Sequence, residues 1–159
     1  MRPIRAKKSE FQEKVLEIRR VTRVVAGGKR FSFRATVVVG DMKGRVGVGI
    51  AKGLDVAAAV DKAKRQAQKD LVHVPLKDQR TIPYDVEAKY SAAKIRMKPA
   101  SKNHGLIAGG AARVVLELAG IKDISAKTLG RTTNKLTNAL AALEALRKLE
   151  REKAEMQSE

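Results

Sequence analysis

The chain has 159 residues and a net charge of +17, from 34 Lys and Arg against 17 Asp and Glu. It contains no cysteine and only two histidines, which excludes disulfides and thiolate metal sites and leaves almost nothing for a zinc centre. Because so large a positive charge repels itself unless a polyanion offsets it, the composition predicts a nucleic-acid partner. No apolar run approaches the roughly 20 residues of a membrane span, and no secretory signal begins the chain, so we expect a cytoplasmic protein without membrane contacts.

Length alone predicts one domain or two small ones, and the strands and helices predicted below place the chain in the α+β class with two small domains. Hydrophobic residues make up 43% of the chain but aromatics only 3%, so the core must be built from Val, Leu, Ile and Ala. Pro75 and Pro83 flank a polar segment that marks the boundary between the domains. From the N-terminus we expect a disordered basic arm over 1–10, a first domain over 11–74, a linker over 75–80, a second domain over 81–149 and a charged tail over 150–159.

In the first domain, alternating apolar and polar residues predict three successive strands, over 16–25, 31–39 and 45–51. A helical turn over 11–14 is expected before them, and imperfect alternation at Arg19-Arg20 predicts a β-bulge. After the strands, Asp55 is placed to cap a helix that runs to about Val72.

The second domain is predicted to contain strands over 81–89, 94–99 and 121–129. A glycine-rich loop, Gly105 to Gly110, leads into a helix that Gly120 ends. Thr132 or Thr133 caps the last helix. From Glu144 onward, the charges are mixed and the apolar face is too narrow to pack well, which predicts that this helix frays.

The first hairpin carries the sharpest functional signal. Its turn, Gly27-Gly28, keeps the backbone narrow. Five cations line the strands and the turn, namely Arg19, Arg20, Arg23, Lys29 and Arg30. A narrow basic hairpin can enter a groove or junction of RNA and neutralise several phosphates. The alternative is a solvated strand edge that charge keeps soluble.

Glycine occupies one face of the third strand, where Gly47 and Gly49 alternate with apolar residues. Interior glycine weakens a strand, so its repetition predicts a bulky group close to the backbone. Since Lys43, Arg45 and Lys52 lie at the margins of this strand, we expect that group to be a phosphate backbone approached by peptide amides. The following helix would then cover the apolar face and leave the glycine face open.

Phe31 and Phe33 leave two interpretations open. Aromatic side chains stack on bases in RNA-binding sheets. Both residues lie an even number of positions from Val37 and Val39, however, and therefore on the same face of the strand. Packing in the core is thus at least as well supported.

The glycine-rich loop opens a helix, and helix N-termini bind phosphate, so Gly105 and Gly109 are candidate RNA contacts. With Pro99-Ala100-Ser101 upstream, the loop has a passing likeness to the phosphate loop of small-molecule kinases. Ala111 and Ala112 stand where those enzymes have a pair of serines, and no acidic cluster is near to hold Mg²⁺. A tight helix entry is the structural alternative. The sequence therefore predicts no catalytic centre, no cofactor and no metal site.

Two long segments resemble a known family. The first, VVAGGKRFSFRATVVVGDMKGRVGVGIAKG with the basic helix after it, resembles the first-domain signature of the small-subunit (30S) ribosomal protein S-five family. The second, KPASKNHGLIAGGAARVVLELAGIKDISAKTLG, resembles that family's second-domain signature. The resemblance implies an N-terminal α-β-β-β-α domain like a double-stranded-RNA-binding domain. It also implies a C-terminal two-layer β-β-α-β-α domain with a left-handed crossover.

The resemblance further implies a structural constituent of the small ribosomal subunit that binds small-subunit (16S) rRNA and is not a homo-oligomer. The protein would lie near the messenger RNA entry channel, contribute to decoding accuracy, and contact ribosomal proteins S-four and S-eight. The turn from Val25 to Arg30 would adjoin the spectinomycin site. The RNA face would include Arg20, Arg23, Lys29, Arg45 and Lys52. Ala26 stands where the family commonly has Lys, and His104 where a small or hydroxylated residue is usual.

Two alternative functions belong to other classes. A free-standing double-stranded-RNA module would bind any duplex of about 16 base pairs without preference for rRNA. A metabolite kinase would show saturable nucleotide binding that depends on Mg²⁺. The structural rRNA-binding role is the one that the whole chain favours.

Overall fold

The structure, a computed structural model, describes residues 10–156 and contains within them two four-stranded sheets and three α-helices. Four strands form the first sheet, antiparallel and in chain order: β1 (Gln12–Val25), β2 (Gly28–Gly40), β3 (Arg45–Gly53) and β4 (Val72–His73). Helix α1 (Val56–Lys69) connects β3 to β4.

The second sheet contains β5 (Val86–Tyr90), β6 (Ala93–Pro99), β7 (Leu106–Ile107) and β8 (Ile124–Thr128). Its spatial order is β5-β6-β8-β7, and only β7 and β8 are parallel among the described strands. Helix α2 (Gly110–Leu118) joins these two parallel strands, and α3 (Lys135–Met156) follows β8. The predicted α+β class with two small units is confirmed, whereas the hand of the β7–α2–β8 connection stays a prediction.

Different elements bury the two faces of the first sheet. On one face Val37 and Val39 pack with the alanines of α1. On the other face Val38 and Val48 join a core that includes α2, α3 and the second sheet. Helices α2 and α3 contact both sheets, so the layers run α1, first sheet, α2 with α3, second sheet.

The glycines of β3 make room for α1, not for phosphate. A Cβ at Gly47 would collide with the carbonyl oxygen of Ala67, and one at Gly49 with that of Ala63. Ala59, Ala63 and Ala67 recur every fourth residue and are fully buried, so α1 presents a strip of small side chains to the strand. The predicted open glycine face is therefore wrong, because glycine facing alanine allows a closer helix–sheet approach that leaves no space for a ligand.

Two predictions at the N-terminal end are also wrong. Residues Gln12 to Lys14 begin β1 instead of forming a helical turn, because they pair with residues 38–40 of β2. The irregularity in β1 falls between Val15 and Glu17, whereas Arg19-Arg20 pair regularly with β2. The first helix of an α-β-β-β-α order is thus absent from the described residues. Most of the predicted arm, residues 1–9, lies outside them.

Helix α3 begins later than predicted. The Asn134 side-chain oxygen accepts a hydrogen bond from the Leu136 amide at 3.1 Å, and the Thr132 hydroxyl accepts one from the Asn134 amide at 3.3 Å. Asn134 therefore caps the helix, and Thr132 supports the cap from one step earlier. Neither Thr132 nor Thr133 immediately precedes the first helical residue.

Helix α3 also ends later than predicted. It continues to Met156, although fraying was expected from Glu144. Leu146 and Leu149 are fully buried in the core beside the second sheet, and this tertiary packing outweighs the mixed charge of the segment. Residues 157–159 of the predicted tail lie outside the described part of the chain.

A buried carboxylate ties together the loops at one end of the second sheet. Asp123 is 2% exposed and accepts hydrogen bonds from the Gly105 amide at 2.9 Å and from Arg80 Nε at 2.8 Å. The Arg80 carbonyl oxygen accepts hydrogen bonds from the amides of Lys122 and Asp123. The Gly105 amide and the Arg80 guanidinium hold the pKa of Asp123 below its ordinary value of 3.8.

The packing of α1 on β3 predicts the cost of a single added methyl group. We expect Gly49→Ala to lower the free energy of unfolding by about 3 kcal/mol, because the new Cβ overlaps rigid helix backbone. Gly27→Ala is the matched control, since a Cβ there meets nothing within 4 Å and should change stability by less than about 0.5 kcal/mol. Urea denaturation of both variants measures the difference, and equal stabilities would contradict the packing described.

The environment of Asp123 predicts a dependence of stability on pH. Because the folded pKa is depressed, the ionised carboxylate stabilises the fold above the unfolded pKa, and that contribution is lost as the pH falls through the folded pKa. We expect Asp123→Asn to be less stable than the wild type at about pH 7, with the deficit shrinking below about pH 4. Asp61→Asn, an exposed residue of α1, is the control. If the loss of stability in Asp123→Asn stays constant in acid, the negative charge of Asp123 is not its cause.

Candidate nucleic-acid interface

The outer half of the β1–β2 hairpin extends beyond the elements that cover the rest of the first sheet. Residues 19–25 and 28–31 are mostly exposed, whereas β2 is buried from Ala35 onward. Seven strand residues correspond to a ribbon about 20 Å long. At its tip, a Cβ on Gly27 or Gly28 would meet nothing within 4 Å, so the turn is unobstructed.

Strand register sorts the predicted cations of the hairpin by face. Directly opposed residues in an antiparallel pair point to the same side of the sheet. Arg19 pairs with Arg34, Arg23 pairs with Arg30, and Arg34 is also opposite Lys52 of β3. Alternation places all of them on one side, which we call the cationic face: Arg19, Arg23, Arg30, Arg34 and Lys52.

Little of the positive charge on the cationic face is neutralised internally. Arg19 forms an ion pair with Glu17 at 2.8 Å. No described residue forms an ion pair with the other four members. Arg34 was missed by sequence reasoning, although it shares the parity of Arg30 and could have been found from that alternation. The five guanidinium and ammonium groups form a surface suited to a polyanion.

The opposite face of the ribbon holds the other two predicted cations of the hairpin and two aromatic rings. Arg20 and Lys29 lie there with Phe31 and Phe33. Phe33 packs against the cluster under α1, whereas Phe31 lies farther out and is 46% exposed. The guanidinium carbon of Arg20 is 3.7 Å from the centroid of the Phe31 ring. Packing in the core therefore describes Phe33 and not Phe31.

Arg45 is held by neighbouring carboxylates at the end of β2 away from the hairpin tip. Its Nε donates to Asp41 at 2.6 Å, its Nη2 donates to Glu10 at 2.9 Å, and its guanidinium lies 5.1 Å from the Phe11 ring. These hydrogen bonds raise the pKa of Arg45. Burial of Asp41 opposes its ionisation, but hydrogen bonds from Arg45 and from the Lys43 amide leave its pKa below the ordinary value. The geometry thus gives Arg45 a part in stabilising the β2–β3 turn.

The other predicted contacts do not converge on the hairpin. Lys43 is exposed in the β2–β3 turn, at the opposite end of β2 from the tip. Gly47 and Gly49 are buried beneath α1 and offer no surface to phosphate, which corrects their predicted role. Gly105 and Gly109 lie in the second unit, where Gly109 precedes α2 without a side-chain cap and a Cβ on either glycine would meet nothing within 4 Å.

A second basic surface was missed by sequence reasoning. The outer face of the second sheet presents five exposed cations, namely Lys89, Lys94, Arg96, Lys98 and Lys127. Two carboxylates offset part of this charge: Glu87, whose pKa is lowered by its hydrogen bond with Lys94, and Asp85, which lies 3.4 Å from Arg96. The alternation of basic and apolar residues from Lys94 to Lys98 could have revealed this surface, but it was used only to predict a strand.

Residues 10–156 contain neither a membrane-spanning helix nor a metal-ligand cluster. No helix in that range is long and apolar enough to cross a membrane. Over the same range, no group of three or more His, Cys, Asp or Glu side chains is arranged to hold a metal ion.

Comparison with known proteins identifies the family. The family model described as "Ribosomal protein S5, N-terminal domain" matches residues 11–75. A second family model, described as "Ribosomal protein S5, C-terminal domain", matches residues 88–159. The family is one of ribosomal proteins and not of enzymes, which argues against the kinase alternative.

Similar curated proteins carry the name small ribosomal subunit protein uS5 or uS5c. The protein of Gloeobacter violaceus is 54% identical over 89% of this chain, and the chain spans 63% of that relative's length. The uS5c protein of Guillardia theta is 49% identical over 88% of this chain and 82% of its own length. The protein of Synechococcus elongatus is 52% identical over 90% of this chain and 79% of its own length. With both halves matched in order, the chain belongs to the ribosomal protein S5 family.

Proposed function

We propose that the chain is a structural constituent of the small ribosomal subunit and binds small-subunit rRNA through the β1–β2 hairpin. The cationic face is the observation that supports this proposal. It presents Arg19, Arg23, Arg30, Arg34 and Lys52 on one side of a projecting ribbon, and only Arg19 has an ion-pair partner among the described residues. Binding would release counterions from the RNA and offset the self-repulsion of a chain with net charge +17.

The hairpin would position the protein without reading base sequence on its cationic side. Guanidinium and ammonium groups contact phosphate oxygens, which fix orientation but carry no sequence information. The unobstructed turn at Gly27 and Gly28 would let the ribbon enter a groove or junction. The outer face of the second sheet would provide a separate basic surface, so that one protein could hold two RNA segments together.

The finer assignments follow from the family resemblance. We propose that the protein lies near the messenger RNA entry channel, contacts ribosomal proteins S-four and S-eight, and contributes to decoding accuracy. The turn from Val25 to Arg30 would adjoin the spectinomycin site. The N-terminus of α2 at Gly109, which has no side-chain cap, is proposed as a further phosphate contact, since helix N-termini favour anions. The amide of Gly105 already donates to Asp123.

Sucrose-gradient sedimentation of a cell lysate tests the ribosomal role. We expect the chain to co-migrate with the small ribosomal subunit and to resist moderate salt, because many phosphate contacts act together. A chain that stays at the top of the gradient at both moderate and high salt would contradict the role. Length-dependent binding of the free chain to any duplex would then favour the free-standing double-stranded-RNA module.

The salt dependence of rRNA binding tests the cationic face. We expect Arg23→Ala and Arg30→Ala each to weaken binding and to lower the slope of log Kobs against log salt by about one unit, since each removes one phosphate contact. Arg65→Ala, which removes the same charge from the exposed side of α1, is the matched control and should leave the slope unchanged.

Comparison of the three variants distinguishes binding through the hairpin from a general effect of net charge. An unchanged slope for both Arg23→Ala and Arg30→Ala would remove the hairpin from the RNA interface. Equal decreases for these variants and for Arg65→Ala would show that only total charge matters. Thermal unfolding of each variant establishes that the fold is retained.

A further inference from the structure

The stacked side chains of Arg20 and Phe31 form an exposed planar group on the side of the hairpin opposite the cationic face. The guanidinium carbon lies 3.7 Å from the ring centroid, a separation typical of planar groups in van der Waals contact. Phe31 still exposes 46% of its surface. The chain has only three phenylalanines, and the other two, Phe11 and Phe33, pack against the cluster under α1.

Nothing in the described core requires an aromatic ring at position 31. Phe31 lies beyond the reach of α1 and belongs to neither core cluster. Val24, on the same face, is 75% exposed, so the surroundings of the ring are also open. An apolar ring that stays exposed beside an open apolar neighbour gains little from folding, which favours a role in binding.

The chemistry of this pair suits a nucleobase. Arginine guanidinium planes and aromatic rings are the two groups on which unstacked bases stack in RNA complexes. With Arg20 over one side of the ring, an incoming base could lie on the outer face of the guanidinium or against the free part of the ring. The contact between Arg20 and Phe31 also holds the arginine in place before binding, which lowers the entropy lost when a base stacks on it.

The charges around the pair restrict what the ligand can be. Lys29 lies on the same face of the ribbon, and the cationic face lies directly behind it, so an RNA strand that follows the hairpin would meet phosphate partners on both sides. Bases inside a duplex are already stacked and expose only their edges. A base must therefore be unpaired, as in a bulge, loop or junction, to reach the pair.

We propose that Arg20 and Phe31 form a stacking site for an unpaired nucleobase of the RNA that the hairpin binds. This inference rests on the proposed rRNA-binding function and adds to it the kind of RNA element recognised. The hairpin then has two distinct sides. The cationic face holds phosphates, and the Arg20–Phe31 pair selects strands that present an extruded base.

The test compares two RNA hairpins that carry the same charge. One has a single bulged adenosine, and the other has an abasic nucleotide at that position, so their phosphates are identical and their affinities differ only through the base. We expect the full-length wild-type chain to bind the adenosine RNA about tenfold more tightly than the abasic RNA. Phe31→Leu, which keeps an apolar side chain, and Arg20→Lys, which keeps the charge, should both abolish this ratio without changing the salt slope.

Matched variants on the same strands serve as controls. Phe33→Leu alters the packed ring two residues away, and Arg23→Lys alters a planar group on the cationic face, so both should retain the wild-type ratio. Thermal unfolding establishes that Phe31→Leu and Arg20→Lys are folded.

The possible outcomes separate this inference from the function on which it rests. A wild-type chain that binds both RNAs equally, or binds neither while binding small-subunit rRNA, overturns the stacking site and leaves rRNA binding intact. Loss of the ratio in the controls as well would also overturn it. A chain that binds no RNA of any kind removes the proposed function itself.

Discussion

The close packing of α1 on β3 is the constraint on which the rest of the structure depends. Gly47 and Gly49 lie so near the helix backbone that a Cβ at either position would overlap a carbonyl oxygen. The opposite face of the same sheet uses the same device, since a Cβ at Gly40 would collide with the carbonyl oxygen of Leu118 in α2. Missing side chains on both faces thus let helices pack closely on either side, and the sheet becomes the central layer of the molecule.

A sheet buried on both faces gives the hairpin a rigid base. Strands β1 and β2 are clamped at their inner ends between α1 and the pair α2 and α3, and their outer ends continue into solvent. The ribbon therefore needs no packing of its own to hold a defined direction. Rigid presentation reduces the entropy lost when side chains on the ribbon bind a polyanion.

The distribution of ion pairs separates structural from available charge. Arg45 and Arg80 each bind a buried carboxylate, Asp41 and Asp123, and fix a turn or loop. On the cationic face, by contrast, Arg23, Arg30, Arg34 and Lys52 form no ion pair with a described residue. The first group of cations stabilises the fold, and the second is the group through which we propose that the chain binds RNA. The same logic explains why Arg45, though basic and close to the glycine strand, is a weak candidate for RNA contact.

Local patterns in the sequence predicted much of the fold. Alternation identified β2 and β3, helical spacing identified α1 and α2, and the concentration of Arg and Lys in the hairpin predicted an RNA-binding element. Errors arose where a segment carried little pattern or where distant contacts outweighed it. Strands β4 and β7 have two residues each and no alternation to detect, and α3 continues to Met156 because buried Leu146 and Leu149 outweigh the local charge.

The amino-acid sequence by itself determined that something large lies against the glycines of β3, because glycine there is costly unless another group needs the space. It could not determine whether that group is a phosphate or a helix, since the absence of a Cβ records only proximity. The tertiary structure shows that the group is the helix α1. It likewise decided the surroundings of Phe31 and Phe33, which point to the same face of β2. Helix α1 reaches one ring and not the other, and only the packed arrangement of distant segments sets that limit.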